Sequence, residues 1–179
     1  MSEKDTVTRA IRGDGEAFAG LYDQYFDKVY RYIYLRLGNH TEAEDLTQEV
    51  FVKALEAIGA YRWRNLPFAS WLFRIAHNST VDHVRRQGKA ERVEMEDVTV
   101  MPDTGPGPAA LAEQRFEVEE LKANIRKLSP AQREVISLRF GAGLSTAEVS
   151  EALGKNTGTV KALQYNGIVA LRKLMTGDR

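Results

Sequence analysis

The 179-residue chain contains no cysteine, which excludes disulfides, thiolate metal sites and thiol nucleophiles. Proline is scarce, with five residues, and Pro102, Pro106 and Pro108 share one short stretch. The rest of the chain is therefore free to form uninterrupted helices. There is no run approaching the ~18 apolar residues that a membrane span requires, and the opening MSEKDTVTRAIRGDGEAF has no apolar core of signal-peptide length. A soluble, cytoplasmic protein without membrane insertion is expected. His77, Asp82 and His83 lie close in sequence, but no further strong ligand is spaced with them, so neither a metal nor a cofactor is expected. An enzyme is disfavoured for the same reason.

Net charge is zero, but it is not evenly spread. Counting Lys and Arg against Asp and Glu, residues 1–60 carry −4, 61–90 carry +5, 91–120 carry −7 and 121–179 carry +6. Two basic segments alternating with two acidic ones suit a protein with two nucleic-acid surfaces; chance clustering on solvated faces is the plainer alternative. β-Branched alternation is scarce and apolar residues recur at three and four, which predicts an all-α fold. Gly88 to Ala112 (GKAERVEMEDVTVMPDTGPGPAALA) is acidic, then Pro/Gly-rich, and lacks periodicity. It predicts a flexible linker, 88–112, joining two small helical domains, 1–87 and 113–179.

The last third contains two helix starts and two glycine stops at the spacing of a helix-turn-helix. Ser129, Pro130 and Gln132 form a capping box with proline at the first helical position, and Ser145 with Glu148 forms a second. Val135, Ile136, Leu138 and Phe140 give the first helix an apolar face; Val149, Ala152 and Leu153 give the second one. Gly154 is placed to end the second in a left-handed cap. A third helix, capped by Asn156 or Thr157, follows with Val160, Leu163, Gly167, Leu171 and Leu174 at helical spacing. Its outer face carries Thr159, Lys161, Ala162, Gln164, Tyr165 and Asn166, in the position of a helix that enters the major groove, and its N-terminus suits a phosphate.

In the first half, Phe18 to Leu37 predicts an amphipathic helix or helix pair, broken at Gly38 and Asn39. Thr41 and Glu44 predict a capping box for the next helix, with Leu46, Val50, Ala54, Leu55 and Ile58 inside and Asp45, Gln48, Glu49 and Lys53 outside. From periodicity alone that acidic face is an ordinary solvated one. In YRWRNLPFASWLFRIAHNSTVDHVRR (61–86), aromatics interleave with arginines before and along a helix. Rings stack on bases at ~1–3 kcal/mol each, and arginines neutralise phosphates, so single-stranded nucleic acid is the expected ligand. Trp71 and Phe68 fall with the core residues, leaving Tyr61 and Trp63 for stacking and Asn78 to read the edge of an unstacked base.

AEDLTQEVFVKAL, PFASWLFRIAHN with VDHVRR, and LSPAQREVISLRF with LSTAEVSEALG and GTVKALQ together resemble the extracytoplasmic function (ECF) group of the sigma-70 family of bacterial transcription initiation factors. The resemblance implies that Asp45, Gln48, Glu49 and Lys53 dock on core RNA polymerase at the β′ clamp helices, with the β flap as a second polymerase contact. It implies that Tyr61, Trp63, Arg74, His77, Asn78, Arg85 and Arg86 melt and hold the −10 element of promoter DNA. It also implies that Asn156, Thr157, Thr159, Lys161, Ala162, Tyr165 and Asn166 read the −35 element. An anti-sigma factor is a further candidate partner. Many members carry a basic run, often His-Arg-Ala, where this chain has Tyr165, Asn166 and Gly167, so one phosphate contact is missing and a glycine sits inside the recognition helix. The linker lacks the additional domain of primary sigma factors, as expected of the minimal two-domain form. A conventional helix-turn-helix regulator would share the C-terminal pattern but leaves the Tyr61–Arg86 segment without a purpose.

Overall fold

The structure, a computed structural model, describes residues 1–64, 66–90 and 109–177, with the side chains of 89–90 and 109–114 excepted. Among the described residues it is helical without a strand: α1 Glu3–Ile11, α2 Gly15–Leu37, α3 His40–Ala57, α4 Phe68–Ala90, α5 Ala109–Ile125, α6 Pro130–Ile136, α7 Thr146–Leu153 and α8 Thr157–Thr176. Helices occupy both ends of the expected linker, since Gly88–Ala90 complete α4 and Ala109–Ala112 begin α5. The remaining stretch, 91–108, lies outside the described residues.

Local signals account for most boundaries. Ser129 with Gln132 and Ser145 with Glu148 form the expected capping boxes, and the Asn156 side chain accepts from Thr159 N at the start of α8. Gly154 ends α7 at φ 63°, a left-handed conformation that favours glycine and turns the chain toward α8. The expected box at Thr41 is not used. Asn39, directly after Gly38, accepts from Glu42 N at 3.0 Å and starts α3 two residues earlier, so Thr41 already lies inside the helix.

Three apolar assignments differ from expectation. Leu55 is exposed on α3, because α3 buries Ala43, Leu46, Thr47, Val50, Phe51 and Ala54 and Leu55 falls off that stripe. Leu174, in the last turn of α8, is also exposed. Phe140, within the π-helical turn Ser137–Gly141, is exposed, because it shares the face of Ile136 and lines an open apolar groove with Leu121 and Ile168.

Gly167, by contrast, is explained by packing. A Cβ there would lie 2.9 Å from Ile136 Cγ1, so the missing side chain lets α8 approach α6 closely.

The two halves are packed together. α4 lies against α7, and α2 lies against the π turn and α6. Val135, Leu138, Ala142, Leu144, Val149 and Ala152 share one core with Tyr32, Phe68, Leu72, Phe73 and Ala76.

Candidate nucleic-acid interface

The N-terminal part of α8 faces outward. Asn156, Thr157, Thr159, Lys161, Ala162, Tyr165 and Asn166 are all exposed, whereas Val160 is buried and Leu163 and Gln164 are half-buried. The helix is held in phase from behind: Arg139 Nε donates to Gln164 Oε1 at 3.0 Å. All the expected −35 residues therefore share one outward surface, and the first-turn amides lie at the positive end of the helix dipole.

On the other half, Arg74, Asn78, Asp82, Arg85 and Arg86 are exposed along α4. Residues 74, 78, 82 and 85 recur at helical spacing, so they form one stripe about 16 Å long at 1.5 Å per residue. Asp82 lies 4.0 Å from Arg85, a solvated pair. Beside the N-terminal end of this stripe is a crevice of about 190 Å³ lined by Ala60, Tyr61, Arg62, Leu66, Ser70, Trp71 and Arg74.

The aromatic assignment differs from expectation. Tyr61 is 5% exposed, its hydroxyl donates to Leu66 O at 2.9 Å, and its ring packs edge-on against Phe68 and tilted against Trp71. Burial pushes its hydroxyl pKa up, with a smaller contribution from Glu3. In this conformation the buried Tyr61 forms part of the crevice wall, and half-buried Trp63 packs edge-on against Tyr61. Trp71 is half-buried and lines the crevice. Asn78 lies outside the crevice, four residues further along the helix from Arg74. Sequence spacing assigned Tyr61 to solvent because it precedes a helix; the tight return through Leu66 and Pro67 folds it inward.

The α3 surface exposes Asp45, Gln48 and Glu49 as expected. Lys53 is half-buried, 2.8 Å from Glu49 and donating to Ser79 Oγ at 3.1 Å. Tyr22 OH donates to Gln48 at 3.2 Å. Val52 and Leu55, both more than half exposed, share this surface and give the acidic face an apolar component. Periodicity did not reveal it, because Leu55 looks like a core position in the sequence and Val52 was not singled out.

Where the halves meet, one carboxylate gathers three partners. Glu134 of α6, 5% exposed, accepts from Tyr32 OH and lies 2.8 Å from His77 Nδ1, both through Oε1. Its Oε2 lies 2.8 Å from Arg36 Nε. That last approach is an ion pair without hydrogen-bond alignment, so both atoms are buried without a hydrogen-bond partner. Burial raises the Glu134 pKa, but the His77 hydrogen bond and the Arg36 charge outweigh it and hold the carboxyl below its ordinary value. Facing an ionised carboxylate, His77 Nδ1 must carry the proton. The same pairing pushes the Tyr32 hydroxyl well above its ordinary range, with burial as the largest cause. His77 is thus turned to Glu134, Asp82 to Arg85 and His83 to Glu42; among the described residues no three such side chains gather as a metal site.

Comparison with known proteins agrees with this division. Sigma-70 region 2 matches residues 21–90, and Sigma-70, region 4 matches residues 125–173. The chain is 36% identical to the ECF RNA polymerase sigma factor SigW of Bacillus subtilis over 97% of its own length and 96% of that protein. It is 38% identical to the ECF RNA polymerase sigma factor BldN of Streptomyces coelicolor over 97% of its length, spanning 66% of BldN. Among solved structures, CnrH in complex with the cytosolic domain of CnrY shares the fold at TM-score 0.75 and 22% identity, covering 99% of both chains. The sigma factor RpoE in complex with the anti-sigma factor NepR, from Bartonella quintana, does so at TM-score 0.73 and 23% identity, covering 90% of this chain and 98% of that one. Two sigma regions in this order, on an all-helical frame ending in a helix-turn-helix, define a transcription initiation factor. The chain belongs to the ECF group of RNA polymerase sigma factors in the sigma-70 family.

Proposed function

We propose that residues 1–87 bind core RNA polymerase and capture the −10 strand, that 113–179 read the −35 duplex, and that 88–112 join them. Asp45, Gln48, Glu49 and Lys53, with Val52 and Leu55, form the surface for the polymerase clamp, and the C-terminal half meets the flap. Lys161, Ala162, Tyr165 and Asn166 contact base edges and backbone in the major groove, with a phosphate at the Asn156–Thr159 amides. Arg74, His77, Asn78, Arg85 and Arg86 hold the unpaired −10 strand, with an extruded base entering the crevice at Tyr61 and Trp71, beside Trp63.

The protein is cytoplasmic and performs no chemistry. Binding energy from the duplex and from polymerase offsets the cost of unpairing a few base pairs, and base capture holds the open state. Polymerase supplies the reaction. RpoE was solved with an anti-sigma factor, which supports a partner of that class here.

The observation that supports this reading is one chain with two separate exposed surfaces whose chemistry suits nucleic acid, the outward face of α8 and a basic stripe beside an aromatic crevice on α4. The test is transcription in vitro from a promoter-fragment library, using core RNA polymerase with and without the protein. Transcripts that need the protein and start downstream of a shared pair of short elements are expected. Sequence-specific duplex binding without such transcripts would overturn it.

A further inference from the structure

A separate cavity of about 240 Å³ opens where α2, α3, α4 and α6 meet, and Arg36, Glu42, His83, Gln87 and Arg133 supply its polar wall. None of the residues assigned above to DNA or to polymerase lines it.

Its positive charge is incompletely matched. Arg36 lies 2.8 Å from Glu134, with its side chain only 10% exposed, yet its Nε has no hydrogen-bond acceptor. Arg133 Nε is also buried without an acceptor. Arg133 Nη2 donates to the carbonyls of Arg126 and Leu128, which carry no charge. Among the described residues no carboxylate pairs with Arg133 or with Arg126. The Arg126 guanidinium lies close by, over Gly38, where a Cβ would meet its Nη1 at 2.6 Å. Burial, then the charges of Arg36 and Arg126, push the Arg133 pKa below its ordinary value. Three guanidinium groups thus converge and two lack a counter-charge, which removal from water disfavours unless an anion is supplied.

The donors are forks rather than points. A guanidinium offers paired N–H groups to two oxygens of one anion, so forks arriving from α2 and α6 suit a tetrahedral oxyanion. At ~30 Å³ each, roughly eight waters would fill the cavity, and it is smaller than the ~300–1,000 Å³ of a pocket for a drug-sized ligand. A small oxyanion fits.

Glu42 decides which one. Its carboxylate accepts from Gln87 Nε2 at 2.8 Å and lies 3.5 Å from His83 Nε2. Toward a fully deprotonated anion it is repulsive, but from an anion that retains a P–OH it accepts a charge-assisted hydrogen bond. At about pH 8 a phosphomonoester, whose second pKa is about 6, has lost that proton. Inorganic phosphate still carries one, and sulfate carries none.

We propose that this cavity is a binding site for inorganic hydrogen phosphate, in which Arg36 and Arg133 hold the oxygens and Glu42 accepts from the P–OH. His83 and Gln87 act through Glu42, as positioning residues. Arg36, Glu42, His83 and Gln87 belong to sigma region 2 and Arg133 to region 4, so the site is complete only where the two halves meet. It does not depend on the roles proposed for α4 and α8.

The test is calorimetric titration of the full-length protein, freed of phosphate and sulfate, at about pH 8 and constant ionic strength. Sodium phosphate, sodium sulfate and glucose 6-phosphate are compared, with thermal melting in parallel. Wild-type protein is expected to bind one phosphate per chain and to melt at a temperature that rises with phosphate concentration. Sulfate and the monoester bind at least about tenfold more weakly. Glu42→Gln, whose amide donates where the carboxylate repels, brings sulfate to within about threefold of phosphate. Arg133→Lys keeps the charge but loses the fork, and weakens phosphate by about tenfold or more. Circular dichroism checks that variant, because Arg133 also holds two carbonyls; if it does not fold, the selectivity of Glu42→Gln decides alone. Absence of saturable phosphate binding by wild-type protein overturns the proposal, as does sulfate or the monoester binding as tightly as phosphate. An unchanged phosphate-to-sulfate ratio in Glu42→Gln, or undiminished phosphate affinity in folded Arg133→Lys, overturns the assignment to this cavity.

Discussion

Oε1 of Glu134 lies 2.8 Å from Nδ1 of His77, a residue 57 positions earlier in the chain. The contact joins α6 to α4, and so joins the two sigma regions, in a place where both side chains are largely shielded from water. It makes the arrangement of the halves sensitive to the ionisation of one carboxyl.

The sign of that sensitivity follows from the direction of the shift. Glu134 is held below its ordinary value of 4.5 in the closed form and relaxes toward that value when the halves part. Its contribution to closure is fully present above the ordinary value and is lost as pH falls through the depressed one. Energy transfer between donor and acceptor dyes on Asp23→Cys and Lys155→Cys, exposed positions on the two halves of a chain that has no cysteine of its own, is therefore expected to decline on acidification below about pH 4.5. Glu134→Gln is expected to flatten that decline. The capping carboxylates Asp5 and Asp14, also lowered by hydrogen bonds, act at the starts of α1 and α2 and leave the variant's remaining acid sensitivity in place. An unchanged pH profile in the variant would remove Glu134 from the account.

Gly167→Ala presents two opposed effects. Alanine is favoured over glycine in a helix by about 1 kcal/mol, but its Cβ would meet Ile136 Cγ1 at 2.9 Å and Cδ1 at 3.2 Å. Overpacking costs about 1–3 kcal/mol, so a net loss of roughly 1 kcal/mol is expected by thermal or denaturant melting. A stabilised variant would show that α8 can shift on α6 at little cost.

Lys161, exposed on α8, is expected to serve the backbone rather than a base. Lys161→Ala then weakens duplex binding about equally across sequences and reduces the slope of log affinity against log salt by about one unit. Holoenzyme titrations at several salt concentrations measure this. A sequence-dependent loss with an unchanged slope would reassign Lys161 to base reading.

Asn78→Ala removes an exposed side chain from α4 and leaves the fold and α3 untouched. Polymerase binding is expected to be unchanged while open-complex formation falls by about tenfold, the size of one base-edge contact. Permanganate reactivity of the −10 thymines reads the opening directly. Undiminished melting would remove Asn78 from the strand-holding set.

Helix punctuation was legible in the sequence because caps are local. Ser129, Ser145, Gly154 and Asn156 act within four residues of themselves, and each does what its type and spacing predict. Family membership was legible because three motifs occur in order. What escaped is what depends on distant residues. Tyr61 looks exposed until Leu66 and Phe68 fold back over it, and Leu55 looks buried until neighbouring helices show which stripe of α3 they cover. Glu134, in an apolar stretch of α6, gives no local sign that Arg36, Tyr32 and His77 will converge on it. The docking of one half on the other is likewise absent from periodicity, which records that a face is apolar and not what covers it.

The π turn at Ser137–Gly141 sets the rotational phase of everything beyond α6. Each residue advances a helix by about 100°, so deleting one position there would turn everything beyond it by about that angle relative to α6. It would also carry the Gly141 carbonyl away from Arg31. The segment works as a fixed offset between two gears: its side chains tolerate exchange far better than its length does, and an insertion or deletion of one residue would misalign the helix-turn-helix with the rest of the molecule even with every cap and core residue intact.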